Sequence, residues 1–322
     1  MTGKSLFLII WPLLLLAGVI LHKYLVPHLN KTIKRILNVV SIILMIAFAL
    51  LTVYTLYAPG DSSALSAWNA EHMDYSRLHK YSTGSSQTIV LIDSGISYSQ
   101  HEQVKESFNL TDGSEYDING HGTMMLSILK GVAGQIEGIA PDVNVISMKV
   151  VDDTGKTEKE TMLKALEKVL TLEDVDIVNL SIATYIEDEN IAAVINQIID
   201  AGIIVVASSG DYETDSMLFP ASMKRVISVG ALSANGRPWN FTNAPDSCDI
   251  LAPGDEIPSL SINGNVESHS GTSQATILIS GYIALLKDHA EQNQQKMGLE
   301  EILAVLHEIQ TQKVSYSYAF KK

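Results

Sequence analysis

From Thr88 onward the chain is a succession of short apolar runs rich in β-branched residues, each parted from the next by a stretch of helical character or a loop. The runs are Thr88–Ile92, Asn144–Val150, Val175–Ser181, Ile203–Ala207 and Arg225–Leu232. Unbroken apolar character in so few residues suits a strand buried on both faces. Two of the intervening segments carry helical periodicity. Met162, Leu163, Leu166, Val169 and Leu170 recur at helical spacing behind Thr157-x-x-Glu160, the pattern of a capping box. Ile191, Val194, Ile195, Ile198 and Ile199 do the same and run up to Gly202, a helix stop. Strands alternating with such helices predict an α/β fold, a parallel sheet with helices on both faces. Sites in such sheets form at the C-terminal ends of the strands.

Upstream of Gly60 the chemistry is different. Ser5–Leu21 and Ile36–Tyr57 are apolar, uncharged runs, each near the roughly 20 residues that cross a bilayer. No small-x-small cleavage site follows the first, and the second comes after it, which disfavours a removable signal peptide. Core helices are rarely so long, so apolar and so free of acid. Lys23, Lys31, Lys34 and Arg35 lie between the two runs, and no further cation appears until Arg77. The positive-inside rule then puts the connecting loop in the cytoplasm and everything beyond Tyr57 outside. The expectation is a transmembrane helical hairpin in residues 1–60, a linker and domain entry in 61–87, and a folded domain in 88–314. The protein would be multi-pass in the cell membrane, with that domain extracytoplasmic.

All 36 acidic residues lie beyond Gly60, against 17 of the 22 Lys and Arg, so the outer part carries a formal charge of −19. This balance argues against nucleic acid as a partner and for a well-solvated, acidic globule. A single cysteine, Cys248, rules out an internal disulfide and a Cys-rich metal site, and is read as a buried small hydrophobe.

Three polar residues stand where the sheet would present chemistry. Asp93 ends the first strand in Ile92-Asp93-Ser94-Gly95, and His121 opens an apolar helix in Asn119-Gly120-His121-Gly122-Thr123. Ser273 lies in Ser270-Gly271-Thr272-Ser273-Gln274-Ala275, directly before the apolar run Thr276–Leu286. A serine at a helix N-terminus sits among unpaired N–H groups and the positive end of the dipole, a favourable place for a tetrahedral oxyanion. Singly, these residues are an ordinary turn former, a helix-opening residue and an N-cap. Together they are what nucleophilic acyl transfer needs: a hydroxyl, a base for its proton, and an anion to orient and stabilise that base.

The blocks VLIDSGI, NGHGT, GIAPDVNVISMKV, VDIVNLS, VISVGAL, DILAPG and SGTSQA run in this order between about Trp68 and about Ile309, and they resemble the subtilisin-like serine peptidases, the subtilases. The resemblance implies Asp93, His121 and Ser273 as orienter, general base and nucleophile. It implies that Ser181-Ile182-Ala183 lines the cleft and pairs with a peptide substrate as an added strand. It also implies a cis bond at Phe219–Pro220. Several residues depart from the family pattern. Met124 follows His-Gly-Thr where the family has a second histidine, Gln274 and Ile277 replace Met and Pro, and Ala183 replaces a glycine. Asp211, in Ser208-Ser209-Gly210-Asp211, stands where the family carries an asparagine whose amide donates to the oxyanion. An ionised carboxylate there repels the developing charge, and one lost donor costs about 10²–10³ in rate. A protonated Asp211 would still donate. Active members of the family carry Asp at this place, so reduced activity that improves in Asp211→Asn is expected.

Calcium is a cofactor by resemblance only. The family's calcium loop is shortened around Lys130–Glu137 and no acidic ligand follows Gly95 before Glu102, so no metal is assigned. A subtilase commonly folds with a prodomain, and the short stretch 58–86 holds none, which implies unaided folding or a folding helper acting in trans. The expected function is that of a membrane-anchored serine endopeptidase of restricted specificity, acting on a peptide or protein near the membrane. Its rival is a catalytically impaired subtilase-fold module for binding or regulation, suggested by the drift at Met124, Ala183, Asp211, Gln274 and Ile277. The retained Asp, His and Ser favour catalysis, and the absence of a Gly-x-Ser-x-Gly elbow weighs against other hydrolases.

Overall fold

The computed structural model describes residues 30–33, 40 and 67–321. The chain divides into two compact units, Met1–Asp61 and Ser62–Lys322. Apart from Val40, the two apolar runs Ser5–Leu21 and Ile36–Tyr57 lie outside the described residues, and with them the expected anchor. No helix among the described residues is long and apolar enough to cross a membrane.

In the second unit, strands β1 (Thr88–Asp93), β2 (Glu106–Asn109), β3 (Gly131–Val132), β4 (Ile136–Glu137) and β5 (Asn144–Lys149) come first. They are followed by β6 (Ile177–Leu180), β7 (Ile204–Ser208), β8 (Ile227–Leu232), β9 (Ile250–Pro253), β10 (Ile257–Leu260) and β11 (Val266–His269). The helices are α1 (Trp68–Met73), α2 (Tyr75–Leu78), α3 (His121–Lys130), α4 (Lys159–Val169), α5 (Glu189–Asp200), α6 (Thr272–Gln292) and α7 (Leu299–Gln312).

Seven strands form one parallel sheet in the order β2-β5-β1-β6-β7-β8-β9. All five strands expected from apolar runs are in it. Period-two alternation sorts their side chains between two cores. Ile89 and Leu91 of β1 join the core under α3 and α6, while Val90 and Ile92 join the core under α4 and α5. Because the strands are parallel, their C-terminal ends share one edge. Asp93, Ser181 and Asp211, which end or follow β1, β6 and β7, are therefore brought to the same side.

Helix α6 is buried along most of its length, which explains its unbroken apolar run. Its Ser280 hydroxyl donates to the Asn179 side chain of β6 at 2.8 Å, a buried polar tie between helix and sheet. Helix α5 has Asp188 as N-cap, accepting from the N–H groups of Asn190 and Ile191, and it stops just before Gly202.

Three features differ from expectation. The stretch 61–87, read as a linker and domain entry, is folded from Trp68 as α1 and α2, with Met73, Tyr75 and Leu78 fully buried and the Trp68 indole N–H donating to the Asp255 carbonyl at 2.7 Å. These helices are too short to show periodicity. The capping box at Thr157 does not form, because Thr157 is held in an antiparallel bridge with Val151 and α4 starts after Glu158 without a side-chain cap. The edge strands β2 and β9 carry no long β-branched run and add to the expected set. The segment around Lys130–Glu137 contains the tight β3–β4 hairpin, which leaves little room for a loop.

Candidate active site

Asp93 and His121 meet directly. The His121 Nδ1 lies 2.8 Å from Asp93 Oδ1 and 2.9 Å from Oδ2, and the Asp93 side chain is 1% exposed. What sets this geometry is a buried network around Asp117, a residue that no motif singles out. Asp117 accepts from the N–H groups of Asn119, Gly120 and Thr123 and from the hydroxyls of Ser94 and Thr123. The Ser94 hydroxyl in turn accepts from the Gly122 N–H at 2.9 Å, and the Ser94 N–H donates to Asp93 at 2.7 Å. One carboxylate thus ties the end of β1 to the first turn of α3, capping the helix that presents His121. Gly122 is needed for closeness: a Cβ there would lie 2.2 Å from the Gly95 carbonyl oxygen. The visible signal for Asp117 is its position four residues before the histidine, in an Asp-x-Asn-Gly turn.

Burial is the largest single influence on the His121 imidazole and lowers its pKa. The charge and hydrogen bond of Asp93, with the charges of Asp117 and Asp211, outweigh it and hold the pKa above the ordinary value.

Ser273 occupies the first turn of α6, the helix against which α3 packs. Its hydroxyl donates to the Ser181 carbonyl at 3.4 Å, and it makes no hydrogen bond to His121 among the described residues. Its backbone N–H donates to no acceptor among the described residues, as expected of a first-turn N–H. Asp211 reaches the same helix end. Its Oδ1 accepts from the Thr272 N–H at 2.8 Å and the Thr272 hydroxyl at 2.7 Å, while the residue as a whole is exposed. Asp211 acts there as an acceptor, and its negative charge complements the helix dipole.

Ser181, Ile182 and Ala183 leave β6 at this edge. Ile182 and Ala183 also line a cavity of about 520 Å³ whose walls include Met162, Leu166, Ile191 and Phe219. Lys159 and Asp188, both lining it, form an ion pair. Thr184 bridges to Phe219, and the Phe219–Pro220 bond is cis, as the resemblance implied. Cys248 is buried, a free thiol whose pKa burial pushes up to about 11. No group of three or more His, Cys, Asp or Glu that could hold a metal ion is found among the described residues.

The geometry can be set beside known proteins. The model of the subtilase family matches residues 83–314. The minor extracellular protease Epr of Bacillus subtilis (strain 168) is 31% identical over 242 residues, covering 73% of this chain and 37% of that protein. Subtilisin E of the same strain is 28% identical over 215 residues, covering 63% of this chain and 56% of that protein. Its major intracellular serine protease is 28% identical over 242 residues, covering 69% and 75%. The chain thus spans about a third to a half of the length of the first two relatives. Among solved structures, the prenylagaramide maturation protease PagA matches with a TM-score of 0.63 at 24% identity, over 72% of this chain and 86% of that one, a likeness of fold. A family model matched across most of the chain, on the fold and site geometry described above, places this protein in the subtilase family.

Proposed function

We propose that the chain is a serine endopeptidase in which Asp93 orients, His121 acts as general base and Ser273 is the nucleophile. The observation that carries this reading is the hold of both Asp93 oxygens on His121 Nδ1, which leaves Nε2 as the nitrogen that can take a proton. Ser273 Oγ attacks the carbonyl carbon of the scissile bond as its proton passes to Nε2. The tetrahedral oxyanion accepts from the Ser273 N–H, and collapse returns the proton from Nε2 to the leaving amine. Water then repeats the sequence on the acyl-enzyme. For this, the Ser273 hydroxyl leaves the Ser181 carbonyl and turns to the imidazole, a rearrangement common between free and substrate-bound sites. The segment Ser181-Ile182-Ala183 offers its backbone to the substrate chain, and the neighbouring cavity, apolar at Met162, Leu166, Ile191 and Phe219, offers room for one substrate side chain. Ala183, whose side chain narrows the cleft where a glycine would leave room, supports a restricted choice of substrate.

The two apolar runs before Gly60 and the basic segment between them support a membrane-anchored protein with the peptidase unit extracytoplasmic. Resistance of the unit to protease added to intact cells would contradict that placement.

A second reading has an observation of its own. The Ser273 hydroxyl is engaged with Ser181, and Asp211 presents acceptors where a donor would serve, as in a silent binding module. Fluorophosphonate labelling of the full chain, with Ser273→Ala as control, separates the two. Labelling of the native chain alone supports the peptidase, and a folded native chain that fails to label supports the module.

A further inference from the structure

The cavity beside Ser181-Ile182-Ala183 combines a hydrophobic floor with a charged rim. Leu166, Ile195 and Phe219 line it from the buried side, while Lys159, Thr184 and Ile186 are exposed and mark its open side. On that open side two lining residues from different helices join. Lys159 is the first residue of α4 and Asp188 is the N-cap of α5, and Lys159 Nζ lies 2.5 Å from Asp188 Oδ2. The ion pair therefore runs from one rim of the cavity to the other.

The needs of the two helices do not account for this pair. A cation in the first turn opposes the helix dipole, so Lys159 is poorly placed to stabilise α4. Asp188 caps α5 through Oδ1 alone, which accepts from the N–H groups of Asn190 and Ile191. Its second oxygen is free for Lys159. A lysine can lay its four-carbon stem along apolar surface while its ammonium stays in water. With the ammonium held by Asp188, the stem of Lys159 becomes part of the cavity lining, and its side chain remains 47% exposed.

We propose that the Lys159–Asp188 pair is a specificity-determining latch on this cavity. A large apolar side chain, carried by a substrate residue lying along Ser181-Ile182-Ala183, enters only when the pair parts and the lysine stem swings aside. A small side chain leaves the latch shut. The proposal rests on the serine-peptidase reading above and deepens it, because it makes substrate choice depend on ionic strength: salt weakens a surface ion pair and leaves apolar contact in place.

The test uses the full chain and alanine peptide p-nitroanilides, which fix the scissile bond, with a single Phe placed at each position in turn. The gain of each Phe peptide over the all-Ala peptide in kcat/KM is read at low and high salt for native, Lys159→Met, Asp188→Asn and the double variant. Met keeps most of the stem and Asn keeps a capping oxygen for α5, so thermal unfolding, read alongside, should stay near native. Each single variant should raise the gain about two- to fivefold, the strength of a surface ion pair, and at one Phe position only. The double variant should add nothing further, because both changes break the same contact. High salt should raise the native gain toward that of the variants and leave theirs in place. Gains equal to native in both single variants would overturn the latch, and so would effects that add in the double variant. A native chain that cleaves these peptides with no gain from Phe at any position would show that the cavity takes no substrate side chain, which overturns this proposal and leaves the peptidase reading standing. If the native chain cleaves none of them and fails to label with a fluorophosphonate, the peptidase reading falls and this proposal with it.

Discussion

The half of the site that holds the base and the half that would hold the acyl group are built differently. Around His121 nearly every polar group is buried and paired: Asp93 to His121 and Ser94, Ser94 to Gly122 and Asp117, Asp117 to the first turn of α3. Around Ser273 the pairings are fewer: a hydroxyl at 3.4 Å from a carbonyl, an N–H with no acceptor among the described residues, an exposed carboxylate bonded only to Thr272 and a carboxamide oxygen, Gln274 Oε1, with no partner. Most departures from the subtilase pattern, Ala183, Asp211, Gln274 and Ile277, fall in this second half. Met124 is the exception in the first. A residue inside a saturated buried network cannot change without stranding a partner, at about 1–3 kcal/mol each. A residue beside unfilled donors can change with little effect on folding, so chemical divergence collects there.

The hardest blow to this comparison comes from Asp93→Asn. If the base half is as rigidly specified as its hydrogen bonds indicate, the amide keeps the geometry but favours the wrong imidazole tautomer, and the labelling rate of Ser273 should fall by about 10⁴. A loss below tenfold would show that Asp93 is a structural residue and that the first half is no more demanding than the second. Next in size is Asp211→Asn, an increase: the variant keeps an acceptor for Thr272 and exchanges a negative charge near the oxyanion for an N–H. kcat should rise about tenfold or more, a share of the value of one donor. Unchanged or lower kcat would show that the acyl half tolerates no correction and is no less constrained than the base half.

A smaller effect on stability sharpens the same contrast. Thr123→Val deletes a 2.6 Å hydrogen bond to Asp117 and the acceptor for the Ser97 N–H, at similar volume and in a fully buried place. Denaturant unfolding should show a loss of about 1–3 kcal/mol. A loss below about 0.5 kcal/mol would mean the network relaxes around the change.

The same contrast explains what is legible in the sequence and what is not. Apolar runs such as Ile89–Ile92 and Ile204–Ala207 announce their strands because burial on both faces leaves no choice of residue. Edge strands β2 and β9 and the short helices α1 and α2 are set by neighbours far along the chain, as when the Trp68 indole bonds to Asp255, and no local pattern encodes that. Asp93, His121 and Ser273 stand out through glycine-flanked motifs. Asp117 and Thr272 do not, because their importance lies in which distant donors they meet. Thr157 misleads for a related reason: a local capping pattern loses to the bridge with Val151. Asp211 is visible as an oddity, but whether it donates or accepts depends on Thr272, which only the folded chain brings to it.

The smallest predicted effect links the two halves through charge. Burial disfavours the His121 imidazolium, but Asp93 most of all, then Asp117 and Asp211, favour it enough to raise the pKa above the ordinary imidazole value of about 6.5. A general base works only when neutral, so labelling should rise with pH along a limb centred above that value. In stability the sign is opposite. A group whose pKa is raised by folding stabilises the native state fully below its unfolded pKa, and that contribution is lost as pH rises through the folded pKa. Activity and this part of stability therefore trade against each other over the same window above about 6.5. Asp211→Asn removes the weakest of the three charges, from the other half of the site, and should move the labelling limb slightly to lower pH while leaving the Asp93–His121 contact intact. A limb that stays in place while the plateau rate changes would show that Asp211 acts on the acyl side alone. A limb that moves down with the plateau would show that the loosely built half tunes the base held by the rigid one.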